Sequence, residues 1–524
     1  MELYSFFATA PKGVEPILVR ELKDLGAEQV KQTRAGASFS GPFQLGYKAC
    51  LWLRTANRVF AVIGSFDAET IDDLYSGIRN INWSDHMSPE NTMAVDFHAD
   101  QSIVKHTHFG ALKVKDAVVD QLREEYSTRP SIDTDQPDIR INVYMIRKSV
   151  TVSLDLSGMS LHKRGYRGDK GTAPLKENLA AAILIKSGWP EISKKGGGFI
   201  DPMCGSGTLP IEAAMIAGDM APGLLREHFG FMKWRQHQPD VWEKLVDEAE
   251  EIELKRRTDI PPIIGYDHDS GAIKDSIANL ERAGLHGLVH FEKRPLAELT
   301  PHPKTLKSPG LMAVNPPYGE RLGQADQLRH LYSQFGERIE SLFSGWRVAV
   351  FTGNSKLARS INIKPVQTDR FYNGSIPCDL FQYIMRDDIA KAMIKSSELT
   401  QRQKIEYQPS EEIRMFENRI KKNLKRLKSW RTQNNISCFR VYDRDIPEYA
   451  VAVDIYDRWV HVQEYKAPDS IEPETALKRL KDVVYILPSL FDVPPENVFI
   501  KQRQKQKRFS QYEKQRDISR NIQV

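Results

Sequence analysis

The chain has 524 residues, 40% hydrophobic and 27% charged, with a formal net charge of +5. That is the balance of a folded protein with apolar material for several cores, and it excludes a disordered or fibrous chain. No apolar run approaches the roughly 20 residues that span a bilayer, so no membrane contact is expected.

The start, "MELYSFFATAPKGVEP", has an acid at position two and too short an apolar run for a signal peptide, so the cytoplasm is the expected location. The four cysteines, Cys50, Cys204, Cys378 and Cys438, form no C-x-x-C pair. Neither a disulfide framework nor a structural zinc site is expected, and no metal is assigned.

The N-terminal third alternates strand and helix patterns. "LYSFFATA", "ASFSG", "FAVIGSF", "MAVDFHA", "DIRINVYMIRKS" and "VTVSLDLSG" read as strands. "GVEPILVRELKDLGA", "QLGYKACLWLRTANRV", "ETIDDLYSGIRNI" and "GALKVKDAVVDQLREEY" read as helices. This stretch holds no phosphate loop and no paired carboxylates, and is expected to recognise a partner rather than catalyse. The loop His162-Lys163-Arg164-Gly165-Tyr166-Arg167 follows, mixing basic groups with an aromatic ahead of a helix beginning near Pro174. It is a candidate contact to RNA substrate or cofactor through His162, Lys163, Arg164, Tyr166 and Arg167.

From there to about residue 395, the apolar strands "GFID", "PIIGYD", "LVHFEK", "GLMAVNPPY", "RVAVFTG" and "CDLFQYIM" alternate with helical stretches. That rhythm predicts a doubly wound, mostly parallel α/β sheet. Beyond it, "EIRMFENRIKKNLKRLKSWRTQNN" is a helix with Ile413, Phe416, Ile420, Leu424 and Leu427 on one stripe. Its other faces carry Lys421, Lys422 and Lys425, candidate phosphate contacts whose affinity should fall with salt. "YAVAVDIYDRWVHVQEY" predicts a hairpin turning at Tyr456-Asp457-Arg458, followed by a helix, the strand "NVFIKQR" and a basic polar tail.

The chemistry concentrates in "DPMCGSGTLPIEAA". A P-loop needs lysine after its last glycine, but Gly207 is followed by Thr208 and Leu209. A dinucleotide fingerprint needs a third glycine where Pro210 stands. The remaining ligand reading is S-adenosylmethionine, with S-adenosylhomocysteine as product. Asp201 would take the ligand's ammonium, and Gly205 and Gly207 would let backbone approach it. Met203, Cys204 and Thr208 line the same turn. "PIIGYDHD" then supplies Asp267 for the ribose hydroxyls, beside His268 and with Asp269 as the alternative acid.

"NPPY" decides between amine and other targets. Two prolines fix the backbone and remove two donors, leaving the Asn315 side-chain oxygen and the Pro316 carbonyl as held acceptors. Two acceptors suit an exocyclic amine, whose lone pair must face the methyl group. Tyr318 can stack on the base, and a base reaching such a corner must flip out of its helix. Asn315, Pro316 and Tyr318 are therefore the catalytic candidates, with Asn315 also at the cofactor.

Taken in order, "LHKRGYR", "APLKENLAA", "DPMCGSGTLPIEAA", "GYDHD", "NPPYGERLG" and "IPCDLFQY" resemble the THUMP-containing guanine-N2 methyltransferases of bacterial large-subunit ribosomal RNA. The resemblance implies a ferredoxin-like part plus THUMP module over 1–156, with THUMP about 44–156, and a Rossmann-like class I methyltransferase over 157–395. It implies N2-methylguanosine in 23S ribosomal RNA, or in a large-subunit assembly intermediate; separately, a monomer is expected. Residues 396–524 are a basic linker helix plus a further part, and about 405–515 of them are similar to the opening of the second half of the fused, bifunctional form, which makes N7-methylguanosine. No second glycine turn follows in the sequence, so the N7 activity is expected to be absent and 396–524 to be a partial α+β appendage. The family's usual acid at the adenine ring falls on Pro295, leaving Glu292, Glu298 or a backbone group for that contact. Two rival readings stand beside this one: an amine methyltransferase of DNA adenine or of a protein side chain, and a non-catalytic RNA-binding assembly factor.

Overall fold

The computed structural model describes residues 3–168, 175–305, 308–318, 325–385, 411–434, 436–456, 459–465, 473–493 and 497–503. The chain divides into two compact units, Met1–Met385 and Arg386–Val524.

Alternating side chains in "YSFFAT" put Phe6 and Ala8 inward and make β1 (Tyr4–Thr9) a central strand. With it come β2 (Glu28–Thr33), β3 (Gly36–Gly41) and β4 (Arg58–Asp67), then β5 (Thr92–Asp100), β6 (Ser131–Ile132), β7 (Ile139–Ile146) and β8 (Ser149–Asp155). They form one eight-stranded sheet in the order β2-β3-β1-β4-β8-β7-β5-β6. β4 joins its halves, pairing antiparallel with β1 (Phe60 opposite Phe7) on one side and with β8 (Phe60 opposite Asp155) on the other. The edge strand β2 is polar and mostly exposed, which is why apolar periodicity does not reveal it. The helix expected over "QLGYKACLWLRTANRV" spans only Gln44–Trp52, because Leu53 turns extended ahead of β4.

The second sheet contains β9 (Phe199–Asp201), β10 (Ile263–Asp267), β11 (Val289–Lys293), β12 (Leu311–Val314), β13 (Arg347–Thr352), β14 (Gln367–Asn373) and β15 (Ile376–Ile384). Its order is β11-β10-β9-β12-β13-β15-β14. β9, β10 and β12 are buried at every residue, the signature of parallel strands covered on both faces. Alternate residues serve two cores: Phe199, Ile263 and Leu311 face one, and Ile200, Ile264 and Met312 the other. β15 runs antiparallel to β13, and β14 closes a hairpin onto it.

Helices Glu177–Lys186 and Thr208–Ala217 are buried almost throughout, including Glu177 and Glu212. They lie in the same core as the first sheet's residues, so the two sheets share one interior. The segment between β9 and β10 adds Phe229, Phe231, Trp234 and Trp242, which gather on Tyr47 and its neighbour Phe43. The Tyr47 hydroxyl bonds His237 Nδ1 at 2.8 Å and accepts from the Gln238 amide at 2.9 Å.

The second unit holds a helix, Ile413–Asn434, then β16 (Cys438–Asp443), β17 (Val451–Tyr456), β18 (Trp459–Tyr465), a helix, Pro473–Phe491, and β19 (Val498–Arg503). The strands lie in chain order, with β17 and β18 a hairpin pairing Tyr456 with Trp459. Ile413, Phe416 and Ile420 bury in its core, while Leu424 and Leu427 cover the edge. The expected turn residues Asp457 and Arg458, the 395/396 boundary, Pro174 and the tail beyond 503 lie outside the described residues.

Candidate active site at the switch point of the second sheet

β9 and β12 are parallel neighbours, Phe199 opposite Leu311 and Ile200 opposite Met312. β10 and β11 continue outward from β9, and β13 from β12, so the winding reverses between them. The carboxyl ends at such a reversal flank a crevice that loops cannot cross, the usual place for a ligand in open α/β sheets. The glycine turn leaves β9 on one side, and Asn315-Pro316-Pro317-Tyr318 leaves β12 on the other.

On the first wall, Asp201 is 2% exposed and Oδ1 accepts from the Met203 amide at 3.1 Å. Burial, with the Asp267 charge adding to it, pushes its carboxyl well above the ordinary range. The Cys204 amide donates to the Tyr266 carbonyl at 2.8 Å, and the Gly205 amide to Asp267 Oδ2 at 2.9 Å. The turn after β9 is thus laced to the end of β10. Met203 is half-buried; Cys204 is buried, which raises its thiol; His268 is exposed beside Asp267, Nδ1 to Oδ1 3.1 Å.

The two glycines differ in what they face. Gly205 has φ +53°, and a Cβ built there meets no heavy atom within 4 Å. A Cβ on Gly207, at φ +82°, would stand 2.8 Å from Phe291 Cζ and 2.9 Å from Ser276 Cβ. Gly205 therefore opens onto unfilled space, whereas at Gly207 packing leaves no room for a side chain, a different reason from the one its sequence position implied. Helix Thr208–Ala217 starts there, presenting its N-terminal amides to the turn.

On the second wall, Asn315 Oδ1 is buried and has no hydrogen-bond partner among the described residues. A buried acceptor left unpaired is costly unless a ligand completes it. Pro316 is buried. The Pro317 carbonyl accepts from the Tyr332 hydroxyl at 3.4 Å, and that hydroxyl also bonds Thr352 Oγ1 at 3.0 Å. Burial pushes the Tyr332 hydroxyl up to about 12. Tyr318 is half-buried and touches both cores. The unpaired Asn315 oxygen, the open space at Gly205 and the two strand-end acids fit a cationic nucleoside donor.

The loop 162–167 is corrected by the structure. Arg164 is 1% exposed and Tyr166 fully buried, so neither can face RNA. Arg164 donates to the carbonyls of Leu161 and Arg54, and its guanidinium stands 3.5 Å from Glu212. The Tyr166 hydroxyl donates to the same carboxylate at 3.2 Å. His162 Nδ1 lies 3.2 Å from Glu177, and Arg167 donates to Thr208 Oγ1 at 2.6 Å. The Thr208 hydroxyl is therefore turned to Arg167. These basic groups pin the first sheet to the second, because a buried arginine must satisfy its donors within the protein. Of this loop's candidates only Lys163 is exposed.

Glu177, Asn178 and Glu212 were not among the candidate residues. A charge inside an otherwise apolar helix, as in "LPIEAA", is the signal that marks Glu212. On the adenine side, Glu292 is tied to Arg294 and His290, and Glu298 is exposed. Arg294 lies over the Tyr266 ring at 4.4 Å. In the second unit Lys421, Lys422 and Lys425 are exposed, Lys421 paired with Glu417 at 2.6 Å.

Comparison with known proteins bears on each part. Residues 5–60 match the RlmL ferredoxin-like domain, 68–155 the THUMP domain, and 164–382 the RMKL-like methyltransferase domain. The "Ribosomal RNA large subunit methyltransferase K/L" of Methylococcus capsulatus is 47% identical over 97% of this chain and 70% of its own length. The protein of that name from Syntrophotalea carbinolica is 48% identical, with the same coverage. Among solved structures, SMU.472, a putative methyltransferase complexed with SAH, aligns with a TM-score of 0.65 at 28% identity, covering 74% of this chain and 99% of its own. A predicted N6-adenine-specific DNA methylase from Listeria monocytogenes aligns at 0.64 and 31%, covering 73% of this chain and 96% of its own. With a ferredoxin-like part, a THUMP domain and a class I methyltransferase sheet in one chain, the protein belongs to the family of ribosomal RNA large subunit methyltransferases K/L.

Proposed function

We propose that this chain, a cytoplasmic monomer, methylates the exocyclic N2 amine of a guanine in 23S ribosomal RNA, using S-adenosylmethionine and a base flipped into the corner after β12. The observation that carries the reading is the buried, unpaired Asn315 oxygen at the switch point. Guanine N2 carries two hydrogens, which the Asn315 side chain and the Pro316 carbonyl can accept. Guanine N7 carries none, so two acceptors would repel it. The corner's chemistry thus favours N2 over N7.

When bound, S-adenosylmethionine supplies an electrophilic methyl group beside the glycine turn. Asp201 would hold its ammonium and Asp267 its ribose hydroxyls, with Gly205 leaving space beside them. Asn315 and Pro316 orient the amine so that its lone pair, otherwise delocalised into the ring, points along the line of transfer, which is catalysis by positioning. Tyr318 stacks beneath the base, worth about 1–3 kcal/mol. With the donor bound, the N2–C bond would form as the C–S bond broke, its electron pair staying on sulfur, and the surplus amine proton would pass to solvent. Lys163, Lys421, Lys422 and Lys425 are the phosphate contacts in this proposal, with the THUMP domain as the main RNA module.

Adenine N6 is the second amine that this corner could hold, and the likeness to the predicted N6-adenine-specific DNA methylase of Listeria monocytogenes is the observation in its favour. The test is labelled methyl transfer to unmodified 23S rRNA and to DNA, with the product digested to nucleosides. N2-methylguanosine from wild type and none from Asn315→Ala is expected. N6-methyladenosine would select the rival, and 7-methylguanosine would overturn the assignment of the corner.

A further inference from the structure

The last residues of β13 stand behind the N-P-P-Y corner, one beside each half of it. Thr352 is fully buried, and its hydroxyl meets Tyr332, which in turn holds the Pro317 carbonyl. Gly353, the next residue, lies against one side of the Tyr318 ring. A Cβ built on Gly353 would be 2.8 Å from Tyr318 Cε2, 3.0 Å from Cδ2 and 3.6 Å from Cys378 Sγ. Gly353 is not among the residues with positive φ, so its backbone could accept any side chain. The ring is what excludes one. Cys378, on β15, is 1% exposed; its thiol donates to the Ile376 carbonyl at 3.7 Å and would stand 3.6 Å from the same Gly353 Cβ, so glycine and cysteine crowd one side of the ring.

We propose that Gly353 and Cys378 are positioning residues that set the plane of Tyr318, and through it the plane of the flipped base. The inference rests on the stacking role given to Tyr318 above. A stacked base lies parallel to its platform, so a tilt or shift of the ring by part of an ångström moves the exocyclic amine off Asn315. Small misplacements of this kind cost rate far more than binding. Gly353 thus acts by having no side chain, and the β14–β15 hairpin acts on the chemistry without touching substrate.

The test is a double-mutant cycle in single-turnover methyl transfer to unmodified 23S rRNA, with cofactor affinity measured alongside. Gly353→Ala in the wild-type background should lose at least tenfold in rate at saturating RNA and cofactor, with cofactor Kd within twofold of wild type. In a Tyr318→Ala background the same change should do nothing further, because the ring it collides with is gone. Equal losses in both backgrounds, or no loss in either, would overturn the proposal. Should Gly353→Ala weaken folding or cofactor binding, Cys378→Ala crossed with Tyr318→Ala carries the same test on the ring's other neighbour. There, a loss that disappears in the Tyr318→Ala background supports the proposal, and a loss of equal size in both overturns it. Tyr318→Ala alone reports on the underlying reading: a wild-type rate there would sink the stacking role itself, irrespective of Gly353.

Discussion

The Gly205 amide donates to Asp267 Oδ2 at 2.9 Å, while Asp267 Oδ1 accepts from the Asp269 amide at the same distance. One carboxylate thereby fixes both the glycine turn and the bend that follows β10. Removing it leaves two amides without their acceptor, and a hydrogen bond to a charged group contributes about 1.5–3 kcal/mol. Asp267→Ala should therefore weaken binding of S-adenosylhomocysteine by roughly 10–100-fold. Asp267→Asn, which keeps one acceptor oxygen, should fall between the two. Calorimetric titration reads both, and wild-type affinity in the alanine variant would remove Asp267 from the cofactor wall.

Arg164 gives a prediction of the opposite kind. Its guanidinium is enclosed with Glu212, Tyr166 and backbone carbonyls, at 1% exposure. Cutting it to alanine strands Glu212 in an apolar helix, and breaking a buried pair from one side costs about 3–5 kcal/mol. Chemical denaturation of Arg164→Ala should show a loss of that order. Lys163→Ala, one residue away and exposed, should leave stability unchanged and lower RNA affinity instead, with a shallower dependence on salt. If Arg164→Ala were stable and impaired only in RNA binding, the loop would be a recognition element after all.

The contrast between those neighbours shows how far the sequence could be read. Strand-end motifs were legible because they combine a period with chemistry: "GFID" before a glycine turn, and an apolar run ending in N-P-P-Y. Their order in the chain places them on adjacent strands once parallel winding is assumed. What composition cannot give is which way a basic loop faces. Arg164 and Lys163 are equivalent in one dimension, and only the position of Glu212, 48 residues on, separates them. β2 and β16 went unread because β2 is polar at the sheet edge and β16 lies in a stretch dense with charge. The hairpin partner β14 is likewise mostly polar and half-exposed. Gly353 carried no motif at all, since its neighbour Tyr318 is 35 residues earlier.

Asp201 should tie stability to pH. Burial first, and the nearby Asp267 charge with it, raise its carboxyl well above the ordinary value, against the single amide of Met203. A folded-state value above the unfolded one means that folding takes up a proton. The stabilisation is full below the unfolded value, near 3.9, and is lost as pH rises through the folded one. Asp201→Asn, neutral at every pH, should then be more stable than wild type at neutral pH, with the difference closing toward about pH 4. Its cofactor affinity should fall, because the ligand's ammonium loses its carboxylate. Denaturation across a pH series checks the first part, and a stability difference independent of pH would show that the charge is not what burial penalises.

Gly205 and Gly207 separate ligand space from packing within a single turn. An alanine at either position enters the left-handed region, at roughly 1–2 kcal/mol. At Gly207 the added methyl also strikes Phe291 and Ser276 at 2.8 and 2.9 Å, so overpacking adds about 1–3 kcal/mol more. At Gly205 the methyl meets no protein atom within 4 Å and projects into the crevice. Gly207→Ala should accordingly lower the melting temperature markedly, and Phe291→Leu in the same chain should restore part of it by giving the methyl room. Gly205→Ala should carry only the backbone strain and so lose less melting temperature than Gly207→Ala without ligand, yet gain little from added S-adenosylhomocysteine, because the space the ligand needs is filled. Thermal melts with and without the ligand distinguish the two. The reverse ranking would place the ligand against Gly207, under the Phe291 ring, and would move the proposed donor pocket to the other side of the turn.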